Sequence, residues 1–380
     1  VSSTDILVVA GEASGDQHAA DLVAALQRLR PDLKFFGMGG PKLAARGVEV
    51  LYGAHEISVM GIVEVLPKLP RIWRVLRGLT AAAAARRPAV ALLVDVPDFN
   101  LPLARRLKKL GVRIAWYVSP TVWAWRPGRT KPLAALVDRL LCILPFEEKF
   151  LRDRGVNAVY VGSPVLDQVP APAEAATFRA ALGLDPTRSV LAVLPGSRRS
   201  ELARLLPTMA EVAARLVHAH AGLQVVVPVA PGLDRASIEA VFSARGVSPV
   251  LIAGQAPEVV GACDVAVVAS GTATLEAGLM RRPFVAVYRV NLLTYLVGKL
   301  LVHAPFFCLV NLLANARVVP ELLQGDMTVA RIVAELEPLW AGAAREACLS
   351  GLDRVRMTLG PAGASERAAG VVAELLTEAC

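Results

Sequence analysis

Short apolar runs of five or six residues alternate along most of the chain with longer stretches in which apolar positions recur every three or four residues. Ile6–Ala10, Ala89–Val94, Arg113–Val118 and Leu140–Leu144 read as buried strands, and Ala19–Leu29 and a segment near Leu101–Leu110 as amphipathic helices between them. Gly162–Pro172, with Pro164, Pro170 and Pro172, interrupts the pattern as a linker does. A second set of strands follows at Val190–Leu194, Gln224–Val229, Pro249–Ile252, Asp264–Ala269 and Pro283–Tyr288, each followed by a helical segment. Continuous apolar strands separated by helices belong to parallel sheets covered on both faces. The expected fold class is therefore α/β: two Rossmann-like domains in series, 1–165 and 173–355, facing a cleft at the carboxyl ends of their strands. From Asp326 the chain is rich in Ala, Leu, Glu and Arg and reads as C-terminal helices. The last, 356–380, is expected to pack back on an N-terminal domain, its own or that of a partner in a homodimer.

Two strand-to-helix turns carry the sharpest local chemistry. In V-L-A-V-L-P-G-S-R-R-S-E, Val190–Glu201, an apolar strand breaks at Pro195-Gly196 and Ser197 stands where a helix N-cap belongs. Free amides and the positive helix end favour a phosphate there, and Arg198 adds charge. In V-A-V-V-A-S-G-T-A-T-L-E, Val265–Glu276, a second strand runs through Ser270, Gly271 and Thr272 into a helix whose Glu276 is placed to accept hydrogen bonds from a ribose diol. Two such turns on one sheet suggest a nucleotide diphosphate. Neither is a Walker or G-x-G-x-x-G motif, which argues against ATP hydrolysis and a conventional dinucleotide site.

Composition narrows the partners. Hydrophobic residues make up 54% and charged residues 19% of the 380, yet 41 Lys+Arg against 33 Asp+Glu leave a formal +8. That combination favours an anionic, partly apolar partner. With 5% aromatics and no basic run longer than two, nucleic acid is not expected. Five scattered cysteines suggest neither a disulfide framework nor a zinc site and fit a reducing cytosol, and the chain opens into a strand rather than a secretory leader.

Eight motifs in order then point to one family: G-E-A-S-G-D at Gly11–Asp16, V-M-G-I-V-E-V-L at Val59–Leu66, D-V-P-D-F-N at Asp95–Asn100, Y-V-S-P-T-V-W-A-W-R at Tyr117–Arg126, L-P-G-S-R at Leu194–Arg198, A-S-G-T-A-T-L-E at Ala269–Glu276, N-L-L-A at Asn311–Ala314 and P-E-L-L-Q at Pro320–Gln324. Together they resemble the lipid-A-disaccharide synthases over almost the whole chain. Ala314–Arg317, A-N-A-R, departs from the A-G-R-E common in that family. The resemblance implies a GT-B fold and an inverting, β-1,6-forming transfer from UDP-linked 2,3-diacylglucosamine to 2,3-diacylglucosamine 1-phosphate, releasing UDP. It also implies Gram-negative lipid A biosynthesis at the cytoplasmic face of the inner membrane. A UDP-sugar epimerase or hydrolase, and a noncatalytic lipid-binding scaffold, remain alternatives on the same fold.

Such a transfer needs a base for the acceptor hydroxyl and a partner for the leaving diphosphate. Asp95, at a strand end and first in its motif, is the favoured base; Asp98, which suits a helix cap, and His18 are the alternatives. Arg198 and the amides near Ser197 and Ser270–Thr272 would hold the diphosphate without a metal ion or other cofactor. By resemblance Gly11, Glu12, Ser14, Gly15, Asp16, Asn100, Ser119 and Trp123 belong to the substrate site. Asn311 reads equally well as a polar ligand or a helix cap, and Trp123 as site lining or core. No segment offers 18 uninterrupted apolar residues, so peripheral membrane contact is expected. Val63, Val65, Leu66, Leu69, Ile72 and Trp73, followed by Val75 and Leu76 and interleaved with Lys68, Arg71, Arg74 and Arg77, supply an apolar surface with basic residues.

Overall fold

The computed structural model describes residues 4–57, 69–170, 175–291, 295 and 304–377. The chain divides into two compact units, Val1–Asp167 with Pro361–Cys380, and Gln168–Gly360.

The first unit holds a sheet of seven parallel strands, β1 (Asp5–Ala10), β2 (Lys34–Gly39), β3 (Glu49–Gly53), β4 (Val90–Val94), β5 (Arg113–Tyr117), β6 (Arg139–Cys142) and β7 (Ala158–Tyr160), in the order β3-β2-β1-β4-β5-β6-β7. The strand order reverses between β1 and β4, which pair in register from Ile6↔Val90 to Ala10↔Val94. A reversal of this kind opens a crevice at the carboxyl ends of the two strands. Because side chains alternate across a strand, Leu7, Val9, Ala91 and Leu93 join one apolar layer and Ile6, Val8, Leu92 and Val94 the other. The second layer is completed by the C-terminal helix Ala364–Thr377, which lies on the helix Ala13–Leu29 and on β5 and β6. Its Val372, Leu375 and Leu376 are buried there, each contributing ~1.5–3 kcal/mol of apolar burial. Asp167 fixes the start of this helix by accepting the backbone N–H groups of Gly363 (2.6 Å) and Ala364 (3.0 Å).

The second unit has six parallel strands, β8 (Val190–Leu194), β9 (Gln224–Val229), β10 (Val250–Ala253), β11 (Val265–Ala269), β12 (Phe284–Tyr288) and β13 (Glu321–Leu323), ordered β10-β9-β8-β11-β12-β13. Here the order reverses between β8 and β11, so both phosphate-type turns flank one switch point. Arg179 ties the base of this sheet together through Asp264 (2.7 Å), whose other oxygen accepts the Val190 N–H (2.8 Å).

Candidate functional site

In the first unit, the helix Ala13–Leu29 begins almost at the end of β1, so Ser14, Gly15 and Asp16 occupy its first turn instead of a loop. Gly11 has no room for a side chain: a Cβ would lie 2.7 Å from Ile57 Cδ1 and 3.0 Å from Val96 Cγ2. Asp16 is buried and accepts backbone N–H groups from Gly40 (2.7 Å), Lys42 (3.0 Å) and Leu43 (3.3 Å). Its carboxylate therefore caps the helix Pro41–Ala45 from a distant point in the chain. His18 packs edge-on against buried Tyr117, with centroids 6.3 Å apart, and burial lowers its pKa against the opposing pull of Asp21. That environment keeps the imidazole neutral and within the helix–sheet layer.

The ends of β4 and β5 hold an unusual backbone. Asp95 (φ 50°), Val96 (φ 42°) and Val118 (φ 65°) all have positive φ, and Val94 pairs with Tyr117 directly before them. Left-handed backbone costs non-glycine residues about 1–3 kcal/mol each, most for β-branched ones, and such strain collects at functional sites. The Asp95 N–H donates to the Tyr117 carbonyl at 3.0 Å. Buried Asn100 donates through Nδ2 to the carbonyls of Asp95 (2.8 Å) and Val94 (3.3 Å), fixing the turn from below. Its buried Oδ1 has no hydrogen-bond partner among the described residues. Asp98 is exposed on the first turn of the helix Pro97–Lys109, whose N-cap is Val96; it pairs with Arg129 and, at 3.7 Å, with Arg126 instead of capping.

Trp123 donates from Nε1 to Glu147 at 3.1 Å and stands edge-on to Phe146. Glu147 is buried at the start of the helix Pro145–Arg152, and it also accepts the Leu144 N–H (3.2 Å). Burial pushes its pKa up to about 8 despite these donors. The sequence reading passed over Glu147, and the available signal was a glutamate two residues after a proline that opens a helix directly behind β6.

In the second unit, the first phosphate-type turn is tight at Gly196 (φ 103°), where a Cβ would also meet Glu201 Oε2 at 2.5 Å. The N-cap of the helix Arg199–Ala219 is Arg198, one residue later than expected; Ser197 lies exposed in the turn before it. Arg198 has the extended backbone of an N-cap (φ −114°), and no side chain caps the helix. Its half-exposed guanidinium meets Glu201 at 3.4 Å. At the second turn, Gly271 (φ 151°) is the N-cap of the helix Thr272–Leu279 and Thr272 is exposed. Ser270 Oγ instead donates to the Phe307 carbonyl at 2.9 Å. Glu276 is partly buried with no hydrogen-bond donor among the described residues; burial first, and Glu258 second, raise its pKa. Glu258 Oε2 is likewise buried without a partner among the described residues. Two under-satisfied acceptors suit a ligand rich in O–H donors, and Glu258 is the member that the sequence reading missed.

Asn311 is not the helix cap, which is Cys308. It lies inside the helix Leu309–Ala314, fully buried, accepting from Val318 N (2.8 Å) and Val319 N (2.9 Å) and donating to the Val319 carbonyl (2.8 Å) and Glu321 (2.7 Å). Both ends of the amide are thus spent on the approach to β13. At the departure from the family pattern, Asn315 takes φ 48° as the C-cap of that helix. Asn tolerates this conformation best after Gly, so the exchange keeps the turn. Arg317 pairs with Glu335 at 2.8 Å.

Of the expected membrane residues, Val63, Val65 and Leu66 lie outside the described residues. On the helix Leu69–Arg86, Leu69 and Trp73 are exposed, with Arg106 stacked 5.4 Å from the Trp73 ring, whereas Ile72 is partly buried against the core. Val75 and Leu76 are core residues, because the helical period turns them toward the sheet. No helix among the described residues is long and apolar enough to cross a membrane.

Comparison with known proteins adds identity to this geometry. A family model described as lipid-A-disaccharide synthetase matches residues 6–354. A lipid-A-disaccharide synthase of Myxococcus xanthus (strain DK1622) is 62% identical over 98% of this chain and 97% of its own. Among solved structures, a putative UDP-N-acetylglucosamine 2-epimerase from Listeria monocytogenes superposes with a TM-score of 0.64 at 14% identity, covering 99% of this chain and 96% of that one. A calicheamicin glycosyltransferase does so with a TM-score of 0.63 at 16% identity, covering 98% of each chain. At those identities the two structures speak for the fold alone.

Proposed function

The chain belongs to the lipid-A-disaccharide synthetase family, and from that premise we propose how its residues divide the work. The protein is a glycosyltransferase, a lipid-A-disaccharide synthase that uses a UDP-sugar donor and a lipid acceptor. The observation that carries the assignment is the extent of the match, which takes in both the strained Asp95 turn and the Arg198 turn. In our reading the donor is UDP-linked 2,3-diacylglucosamine and the acceptor 2,3-diacylglucosamine 1-phosphate. Asp95 removes the proton from the acceptor 6-hydroxyl as that oxygen attacks the anomeric carbon. The glycosidic C–O bond to UDP breaks on the opposite face, so the configuration inverts. Arg198 and the amides at the Arg199–Ala219 and Thr272–Leu279 helix starts neutralise the departing diphosphate. Glu276, with Glu258 beside it, takes the ribose hydroxyls.

The acyl chains place this chemistry at a membrane surface. Peripheral contact with the cytoplasmic face of the inner membrane through Leu69 and Trp73, flanked by Arg74 and Arg77, is consistent with their exposure. The deciding experiment follows UDP release with and without the acyl-glucosamine phosphate, in wild type and Asp95→Asn. Release only with acceptor, abolished in the variant while UDP still binds, is the expected result. Acceptor-independent release would instead indicate a hydrolase, and retained turnover in the variant would remove Asp95 as the base.

A further inference from the structure

The first unit carries a second charged constellation that the roles above do not use. Arg126 and Arg129 converge on a single oxygen of Asp98, and both guanidinium groups lie over the Trp125 ring, Arg126 at 4.0 Å from its centroid and Arg129 at 6.0 Å. Two cations share one carboxylate, which leaves one positive charge over. Arg129 is the enclosed member, its side chain 20% exposed and committed to Asp98, while Arg126 is 45% exposed and only loosely engaged at 3.7 Å. An ordinary surface ion pair would contribute little and would not bring a second like charge to the same carboxylate.

The pair is also held in place. Trp125 Nε1 is 3.3 Å from Thr121 Oγ1, and Thr130 Oγ1 donates to the Pro127 carbonyl at 2.7 Å. The segment's earlier part is pinned to the next helix through Trp123 and buried Glu147. Rigid, stacked guanidinium groups lose little freedom when they bind an anion, and their planar forks match phosphate oxygens. The constellation follows β5 and meets the first turn after β4, the turn that Asp95 begins.

We propose that Arg126, presented by Trp125 and backed by the Arg129–Asp98 pair, binds the phosphomonoester of the acceptor. The inference deepens the functional reading above and rests on it for the identity of the acceptor. Arg126 supplies the spare charge and the exposed donors, Arg129 sets the position of Asp98, and the lipid's phosphate takes the second anion's place. The reacting hydroxyl, at the other end of the same sugar, is then directed toward Asp95.

The test pairs a variant with a ligand change. Turnover is measured for wild type, Arg126→Ala and Arg126→Lys, using 2,3-diacylglucosamine 1-phosphate and the same lipid without its phosphate. Loss of one charge-assisted contact should lower kcat/KM for the phosphorylated acceptor about 10- to 100-fold in Arg126→Ala, mainly through KM. The unphosphorylated acceptor and the donor KM should be unaffected, and Arg126→Lys should recover part of the loss. Equal losses on both acceptors, or an undiminished preference for phosphate, would overturn the proposal. Calorimetric titration of wild type and Arg126→Ala with glucosamine 1-phosphate separates this site from the activity. If wild type turns over neither lipid, the activity reading fails, and the site still stands on binding to wild type alone or falls on equal binding to both proteins.

Discussion

Glu147 offers a quantitative check, because its protonation is written into the stability of the first unit. In the unfolded chain the carboxyl titrates near its ordinary 4.5, while burial raises it to about 8 in the folded protein. Between those values the folded state keeps a proton that the unfolded state has released, so stability falls as pH rises; below pH 4.5 and above about 8 the two states match. Each pH unit inside the window removes about 1.4 kcal/mol, and the whole window removes several, on the order of 5 kcal/mol at most. Glu147→Gln cannot titrate. It places an amide N–H₂ among groups that donate to the carboxyl, the Trp123 indole and the Leu144 backbone, so a constant penalty of about 1–3 kcal/mol is expected. Tyr160, which feels this carboxyl, is pushed up to about 12, and the Cys142 thiol rises further still, so neither confuses the window. Urea unfolding of both proteins from pH 4 to pH 9, followed by tryptophan emission, to which Trp73, Trp116, Trp123 and Trp125 of the first unit contribute, gives the difference directly. The expected trace is a wild-type advantage at pH 5 that declines with pH and reverses by pH 8. A difference that stays flat from pH 5 to pH 8 would refute the burial argument.

Four other outcomes are expected. Arg198→Ala should lower kcat about 10²- to 10³-fold with little change in acceptor KM, as loss of one partner for developing charge does; unchanged turnover would remove the assignment. Asn311→Ala strands the N–H groups of Val318 and Val319 and should destabilise the second unit by about 2–4 kcal/mol in denaturant, with donor KM preserved if the residue touches no substrate. Asn315→Gly, at φ 48°, should be neutral or stabilising by up to about 1 kcal/mol, and a loss of stability would show that the Asn side chain matters there. Leu69→Ser with Trp73→Ser should reduce sedimentation with anionic liposomes while the thermal midpoint stays near the parent's, because both side chains are exposed; parental binding would place the contact elsewhere.

The architecture was legible where a strand carries an unbroken apolar run. Val190–Leu194 and Gln224–Val229 appear residue for residue, since an unbroken apolar run is what a central parallel strand requires. Of the four edge strands, β10 was read as Pro249–Ile252 from its V-L-I run, whereas β3, β7 and β13 were not: they are short, and E-V-L-Y-G or A-V-Y carries no run long enough to stand out. β2 is central and was hidden for another reason. Its K-F-F-G-M-G spends two positions on glycine, one of them Gly37, at φ 148°, where a Cβ would fall 2.0 Å from the Val8 carbonyl oxygen. Close backbone approach, a tertiary fact, overrode strand composition there.

At the site the sequence identified residues better than conformations. Asp16 and Asn311 belong to motifs of the family, and their polar atoms bond groups that only the fold brings within reach: backbone amides twenty-four or more positions away for Asp16, and the Val318–Val319 backbone with the Glu321 side chain for Asn311. The left-handed backbone at Val96 and Val118 left no trace, because β-branched residues rarely adopt it, and an Asp at position 95 is too common in other conformations to signal it alone. Its cost is met by the surroundings: the Asp95 N–H bonds across to β5, Asn100 braces the two carbonyls beneath, and Gly11 admits the Val96 side chain. This explains why Gly11 is small although its own φ demands nothing, and it yields a distinct expectation. Gly11→Ala puts a methyl 2.7 Å from Ile57 Cδ1, which can rotate aside, and 3.0 Å from Val96 Cγ2, whose short side chain passes the displacement to the strained turn that carries it. Turnover should therefore fall at least tenfold in Gly11→Ala, the scale expected when a catalytic group is displaced by a fraction of an ångström, while UDP binding in the second unit is retained. Unchanged kcat alongside a lower thermal midpoint would show that Gly11 serves packing alone and that the Asp95 turn tolerates the shift.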